Sequence, residues 1–146
     1  MKRKDFITTC AQCSVAFLLV PAWLQSCAGT SYLNAIIEGN DLVVPLSSFE
    51  VMRGGKKEFR KYVVVQHDSL QFPICVYRLS ATNYHALWMQ CTHQGTELQA
   101  FGERLQCPAH GSEFGQTGAV QNGPADKPLR AFETILTKQN LNIKLL

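Results

Sequence analysis

Two short segments concentrate the residues able to do chemistry. They are Cys91-Thr92-His93-Gln94-Gly95 and Cys107-Pro108-Ala109-His110-Gly111-Ser112. Each offers one thiolate and one imidazole, and each carries a glycine close behind its ligands, where the backbone must turn sharply and approach a bound group. Four donors of type Cys₂His₂ admit two metal sites. A single tetrahedral zinc typically takes its ligands as Cys-Cys and His-His pairs. Here every segment mixes the two types, and Cys91 and His93 have one residue between them. The other site is a 2Fe–2S cluster in which two histidines replace two cysteines on one iron. Mixed segments suit that arrangement, because each supplies one ligand to each iron.

Elements that could hold two such loops side by side are strands. From residue 34 onward the chain runs in short apolar or alternating stretches separated by turn residues. Ala35-Ile36-Ile37 and Leu42 to Leu46 flank a Gly39-Asn40-Asp41 turn. Arg53 to Lys57 is a polar, glycine-rich turn. Tyr62 to Val65 and Ile74 to Tyr77 are β-branched and aromatic, as strands prefer. Tyr84, Ala86 and Trp88 alternate with Leu87 and Met89. Leu98 to Phe101, Gly102 and Leu105 predict a tight hairpin, and Leu129 to Leu136 and Leu141 to Leu145 predict two closing strands. No helical period persists over three turns in this region. The expected fold class is all-β, a sandwich or partly open barrel of antiparallel sheets. With 146 residues, 46% hydrophobic and 17% charged, the chain has enough apolar matter for one core. The net charge is +3, and setting aside Lys2, Arg3, Lys4 and Asp5 leaves +1, so a nucleic-acid surface has no compositional support.

The two segments are similar to the Rieske signature, C-x-H paired with C-x-x-H-G. The likeness extends to Gly118 to Ala125 and Pro128-Leu129, which resemble that family's glycine- and proline-rich loop over the cluster, so that it spans about residues 85–135. It implies Rieske-type sheets with a small cluster-binding subdomain of two loops, and one 2Fe–2S cluster per chain. Cys91 and Cys107 would bind the inner iron, and His93 and His110 the outer, more exposed one. Rieske proteins of respiratory cytochrome bc complexes add a Cys in each loop and join them by a disulfide. The matching residues here are Thr96 and Ala109, so that clasp is expected to be absent, as in Rieske ferredoxins and ring-hydroxylating oxygenases. The resemblance implies that Ser112 gives a hydrogen bond to a cluster sulfide. The Tyr that high-potential members place two positions later is Phe114 here. One donor kept and one lost implies a potential between the family's extremes, within its range of roughly −150 to +300 mV.

The first 26 residues are expected to be a signal peptide. A basic start precedes an apolar run, Val15 to Leu24, too short for the roughly 20 residues of a membrane-spanning helix. Leu24-Gln25-Ser26-Cys27 resembles a lipobox, with Cys27 as the lipidated residue, and Arg3-Lys4-Asp5-Phe6-Ile7 resembles a degenerate twin-arginine signal. Cleavage would remove Cys10 and Cys13. Residues 27–33 would tether a Rieske domain of residues 34–146.

Other candidates have bland readings. Cys75 is a core thiol. His67 and His85 are surface or packed imidazoles, Trp88 and Tyr84 belong to the core, and Lys56, Lys57, Arg60 and Lys61 form a solvated face. The expected function is that of an exported, membrane-anchored, one-electron carrier in the cell envelope. It would exchange electrons with a quinol-oxidising complex, a cytochrome or a periplasmic oxidoreductase, and would have no substrate site of its own. The alternatives are an iron–sulfur subunit of a larger oxidoreductase and a zinc-stabilised binding module. A terminal oxygenase would need a further domain for a mononuclear iron.

Overall fold

The computed structural model describes residues 32–146. The expected signal peptide, Cys27 and most of the expected tether lie outside the described residues. Fifteen strands and one short 3-10 helix (Leu46–Phe49) form the described chain. The all-β expectation holds.

The central layer is a five-stranded sheet. It is built from β1 (Tyr32–Asn34), β6 (Tyr62–Gln66), β7 (Ile74–Arg78), β8 (Tyr84–Trp88) and β13 (Ala131–Phe132), in that order. One face of this sheet meets a four-stranded sheet of β14 (Thr134–Leu136), β15 (Asn140–Lys144), β3 (Asp41–Pro45) and β2 (Ile36–Glu38). Val63, Val65, Ile74, Val76 and Ala86 pack there with Leu42, Val44, Leu141 and Ile143. The opposite face carries Val64, Cys75, Tyr77, Leu87 and Met89. It meets a second four-stranded sheet of β12 (Val120–Asn122), β11 (Glu113–Gly115), β10 (Arg104–Gln106) and β9 (Gln99–Phe101). A sheet covered on both faces needs apolar side chains at consecutive positions. That is why Val63-Val64-Val65 and Ile74-Cys75-Val76-Tyr77 are unbroken apolar runs. The alternation read at Tyr84 to Met89 also holds: Tyr84, Ala86 and Trp88 join one core, and Leu87 and Met89 the other.

Two details differ from the sequence reading. Leu129 to Leu136 is not one strand. β13 pairs with β8, and β14 leaves that sheet to pair with β15, the break falling at Glu133, whose carbonyl accepts the Lys144 N–H at 2.9 Å. One segment thereby closes both layers. The region from Gly118 onward is partly strand, since Val120 to Asn122 pairs with β11 through a register shift. β1 pairs in parallel with β6 and already includes Tyr32 and Leu33. β4 (Glu50–Arg53) and β5 (Lys56–Phe59) form a separate exposed hairpin that carries Lys56 and Lys57.

Candidate metal centre

The sheet of β9 to β12 exists to present two loops. The first, residues 91–96, leaves the end of β8 through Met89 and Gln90. The second, residues 107–112, leaves β10 directly. β9 and β10 form the hairpin that joins them, with Ala100 opposite Leu105, and Leu98, Leu105 and Phe114 anchor it in the core below.

The loops share one backbone design. In the first, the Cys91 N–H donates to the Thr96 carbonyl at 2.8 Å, and the Gly95 N–H donates to the Cys91 carbonyl at 2.8 Å. In the second, the Cys107 N–H donates to the Ser112 carbonyl at 2.8 Å, and the Gly111 N–H to the Cys107 carbonyl at 3.0 Å. Both turns close through a left-handed residue, Gly95 at φ +74° and Gly111 at φ +77°. A side chain there would be strained, which explains the glycine behind each ligand pair.

This design sorts the donors by type. Cys91 and Cys107 are each 2% exposed and lie together in the core beneath the loops. Their side chains are neighbours. His93 and His110 are exposed at the tip, with ring centroids 5.0 Å apart and planes nearly perpendicular. Burial pushes the Cys107 thiol up. The N–H groups of His110 and Ala109, the Cys91 side chain and the Thr96 hydroxyl all favour the thiolate, and the net shift is downward from the ordinary 9.0. A buried sulfur surrounded by N–H donors is prepared to carry negative charge.

A third segment braces the two loops. The Ala125 N–H donates to the Ser112 Oγ at 3.0 Å, and the Thr92 hydroxyl donates to the Lys127 carbonyl at 2.7 Å. Residues 123–128 thus touch one loop each way. Gly118 sets the approach of this segment to the core: at φ +83°, a Cβ would lie 3.1 Å from Leu87 Cδ2, and its carbonyl accepts the Leu129 N–H at 2.9 Å. Ser112 is fully buried, and its hydroxyl oxygen is used as an acceptor, which leaves its proton to donate.

The donor set, a buried thiol pair beneath an exposed imidazole pair, fits a two-iron cluster. Among the described residues no three His, Cys, Asp or Glu side chains close on a single metal position. The four sequence-selected ligands fall instead into a buried thiol pair and an exposed imidazole pair. Among the described residues Cys91 and Cys107 are also free of any disulfide. The remaining candidates stand apart from this centre. Cys75 is fully buried, and burial pushes its thiol far up. His67 caps its own turn, its Nδ1 2.8 Å from the Ser69 hydroxyl. His85 pairs with Tyr77 across β7 and β8. Trp88 packs edge-on against Phe72 and Phe132, and Tyr84 against Phe49. Sequence reasoning passed over the Thr92 and Ala125 braces, which no spacing rule signals, since each spans a loop-to-loop contact.

Comparison with known proteins agrees with this geometry. The family model described as the Rieske [2Fe-2S] domain matches residues 49–133. The chain is 30% identical over 132 residues to the cytochrome b6-f complex iron-sulfur subunit 2 of Synechocystis sp., covering 85% of this chain and 66% of that protein. It is 26% identical over 96 residues to the subunit of the same name from Trichormus variabilis, covering 64% of this chain and 48% of that one. The chain therefore spans about half to two thirds of the length of these relatives. Among solved structures, it is similar to the cyanobacterial plasma membrane Rieske protein PetC3 from Synechocystis PCC 6803. That match has a TM-score of 0.51 and 26% identity, over 57% of this chain and 86% of that one.

Proposed function

The chain belongs to the Rieske [2Fe-2S] family and takes a [2Fe-2S] cluster as its cofactor, and from that premise we propose that it is a one-electron carrier whose ligands are Cys91, Cys107, His93 and His110. When bound, the cluster supplies a one-electron couple that histidine ligation raises above that of an all-cysteine site. The observation that carries this reading is the sorting of the donors. Cys91 and Cys107 hold the inner iron in a dry, donor-rich pocket. His93 and His110 hold the outer iron where solvent and a partner can reach it. Their exposed imidazoles would form the exit for the electron. Ser112 donates to a sulfide while its oxygen fixes residue 125. With four protein ligands committed, no residue of the site is left to bind a substrate.

The setting we propose is the cell envelope. Residues 1–26 act as an export signal, Cys27 is the lipid-modified anchor, the expected tether shortens to residues 27–31 because Tyr32 and Leu33 belong to β1, and the Rieske domain runs from residue 32 to residue 146. More than one acyl chain gives stable attachment, at ~0.8 kcal/mol per buried CH₂. The redox partner is a quinol-oxidising complex, a cytochrome or a periplasmic oxidoreductase. The relatives named as cytochrome b6-f subunits favour a second form of this reading, in which the chain is the iron–sulfur subunit of a larger membrane complex. Two experiments separate the parts. EPR of the dithionite-reduced protein reports the cluster, with a rhombic signal expected, and a silent, colourless, zinc-loaded protein overturns the assignment. Mass spectrometry of membrane-extracted protein reports the anchor, with a lipid-modified Cys27 expected as the first residue and an intact N-terminus as the contrary result.

A further inference from the structure

Charge is unevenly spread over the described residues. Residues 50–61 hold five of their eleven basic side chains, Arg53, Lys56, Lys57, Arg60 and Lys61, but only two of their ten acidic ones, Glu50 and Glu58. This stretch is the β4–β5 hairpin and its link to β6, and the hairpin pairs with neither sheet layer. Its acids are already matched, Lys57 Nζ lying 2.6 Å from Glu50 and Arg53 Nε 3.7 Å from Glu58. Among the described residues Lys56 and Arg60 make no ion pair. The register places Met52 and Phe59 on one face, with Lys57 directly across from Met52. Met52 is 66% exposed and Phe59 48%, and the Arg78 guanidinium lies 4.2 Å from the Phe59 ring. Exposed apolar and cationic groups therefore stand side by side. The hairpin leads into the start of β6, where Tyr62 pairs with Tyr77. The first ligand loop follows Trp88, which pairs with Ile74, itself opposite Val65 near the end of β6. The hairpin and the cluster loops thus occupy opposite ends of the central sheet.

We propose that the β4–β5 hairpin docks the domain on an anionic lipid surface, with Arg53, Lys56, Lys57 and Arg60 among the headgroups and Met52 and Phe59 at the acyl boundary. The inference rests on the lipid-anchor reading above. Cys27 is five residues from Tyr32, and five residues span at most about 18 Å, so the anchor keeps the domain close to the bilayer. Charge complementarity selects the face that meets it. β1 also runs parallel to β6, so the chain enters the central sheet from the hairpin's end. Docked in this way, the domain holds His93 and His110 away from the lipid, open to a partner in solution.

The test is hydrogen–deuterium exchange of the cluster-loaded full chain on vesicles of mixed phosphatidylglycerol and phosphatidylcholine, and on vesicles of phosphatidylcholine alone. On the mixed vesicles the amides of residues 50–59 should exchange several-fold more slowly, and those of residues 91–96 and 107–112 should be unchanged. The protection should weaken in high salt and in the double variant Lys56→Glu with Arg60→Glu, whose sheet amides should keep wild-type exchange. The wild-type comparison between the two lipids decides the matter even if that variant fails to fold. Vesicle-bound protein whose hairpin exchanges equally on both surfaces would overturn the proposal and leave the basic face to solvent or to an acidic protein partner. Protection of the ligand loops in place of the hairpin would overturn it as well. Mass spectrometry of Cys27 in the same sample reads the anchor separately: an unmodified Cys27 with the hairpin still protected sinks the anchor reading alone, and an unmodified Cys27 with no vesicle association sinks both.

Discussion

Replacing Ser112 with alanine separates the two roles given to its hydroxyl. Ser112 is fully buried and Ala125 is 5% exposed, so the 3.0 Å bond between the Ala125 N–H and the Ser112 Oγ lies away from water. In Ser112→Ala the Ala125 N–H loses its acceptor and cannot turn to solvent. An orphaned buried donor costs ~1–3 kcal/mol. For a domain of this size, each kcal/mol lowers Tm by about 4 °C, so a fall of about 4–12 °C is expected. The same substitution removes the proton available to a cluster sulfide, so the reduction potential should fall as well. Thermal unfolding of the cluster-loaded protein and a redox titration read the two effects independently. A lower Tm with an unchanged potential would show that the hydroxyl braces residues 123–128 and does nothing for the cluster. An unchanged Tm would refute the argument from burial.

Other perturbations probe the rest of the account. Phe114→Tyr should raise the potential, measured by the same titration, by restoring the donor that high-potential members have; no rise would mean that a hydroxyl at this fully buried position does not reach the sulfur. Tyr77→Phe should leave stability unchanged or raise it by ~1 kcal/mol, because the Tyr77 hydroxyl is buried without a hydrogen-bond partner among the described residues; a clear loss in denaturant melts would reveal a partner. Cys75 should resist alkylation in the native protein and react on unfolding, as read by mass spectrometry, since burial pushes its thiol far above the ordinary 9.0. The fold favours the protonated thiol, so its contribution is complete below the unfolded value and is lost as the pH rises past it. Cys75→Ala should therefore flatten the alkaline decline of stability, and an identical decline in both proteins would argue against that linkage.

The parts of this molecule that were legible in its sequence are those written locally. Cys91, His93, Cys107 and His110 sit within two six-residue stretches, and a short loop must bring such neighbours to one place. Val63 to Val65 and Ile74 to Tyr77 were legible as strands because a doubly covered sheet demands unbroken apolar runs. The turn at Gly39 to Asp41 followed from composition, and β2 and β3 do meet there. What was not legible depended on distant partners. Nothing in Leu129 to Leu136 marks Glu133 as the point where the chain changes sheets, because both halves carry similar side chains. The parallel pairing of Tyr32 with Val64 joins segments separated by two strand pairs, β2–β3 and β4–β5. The shared backbone design of the two ligand loops was hidden for another reason. One loop spaces its ligands C-x-H and the other C-x-x-H, so aligning them by ligand obscures a backbone that repeats from the cysteine.

The most direct measurement is the EPR spectrum of the dithionite-reduced wild type, taken beside His93→Ala and His110→Ala with iron and zinc quantified in each. Two irons per chain and a rhombic signal in the wild type, with loss of both the signal and the colour on removing either imidazole, is the result this account requires. Zinc at one per chain with no signal, or a cluster that survives both substitutions unchanged, would contradict it.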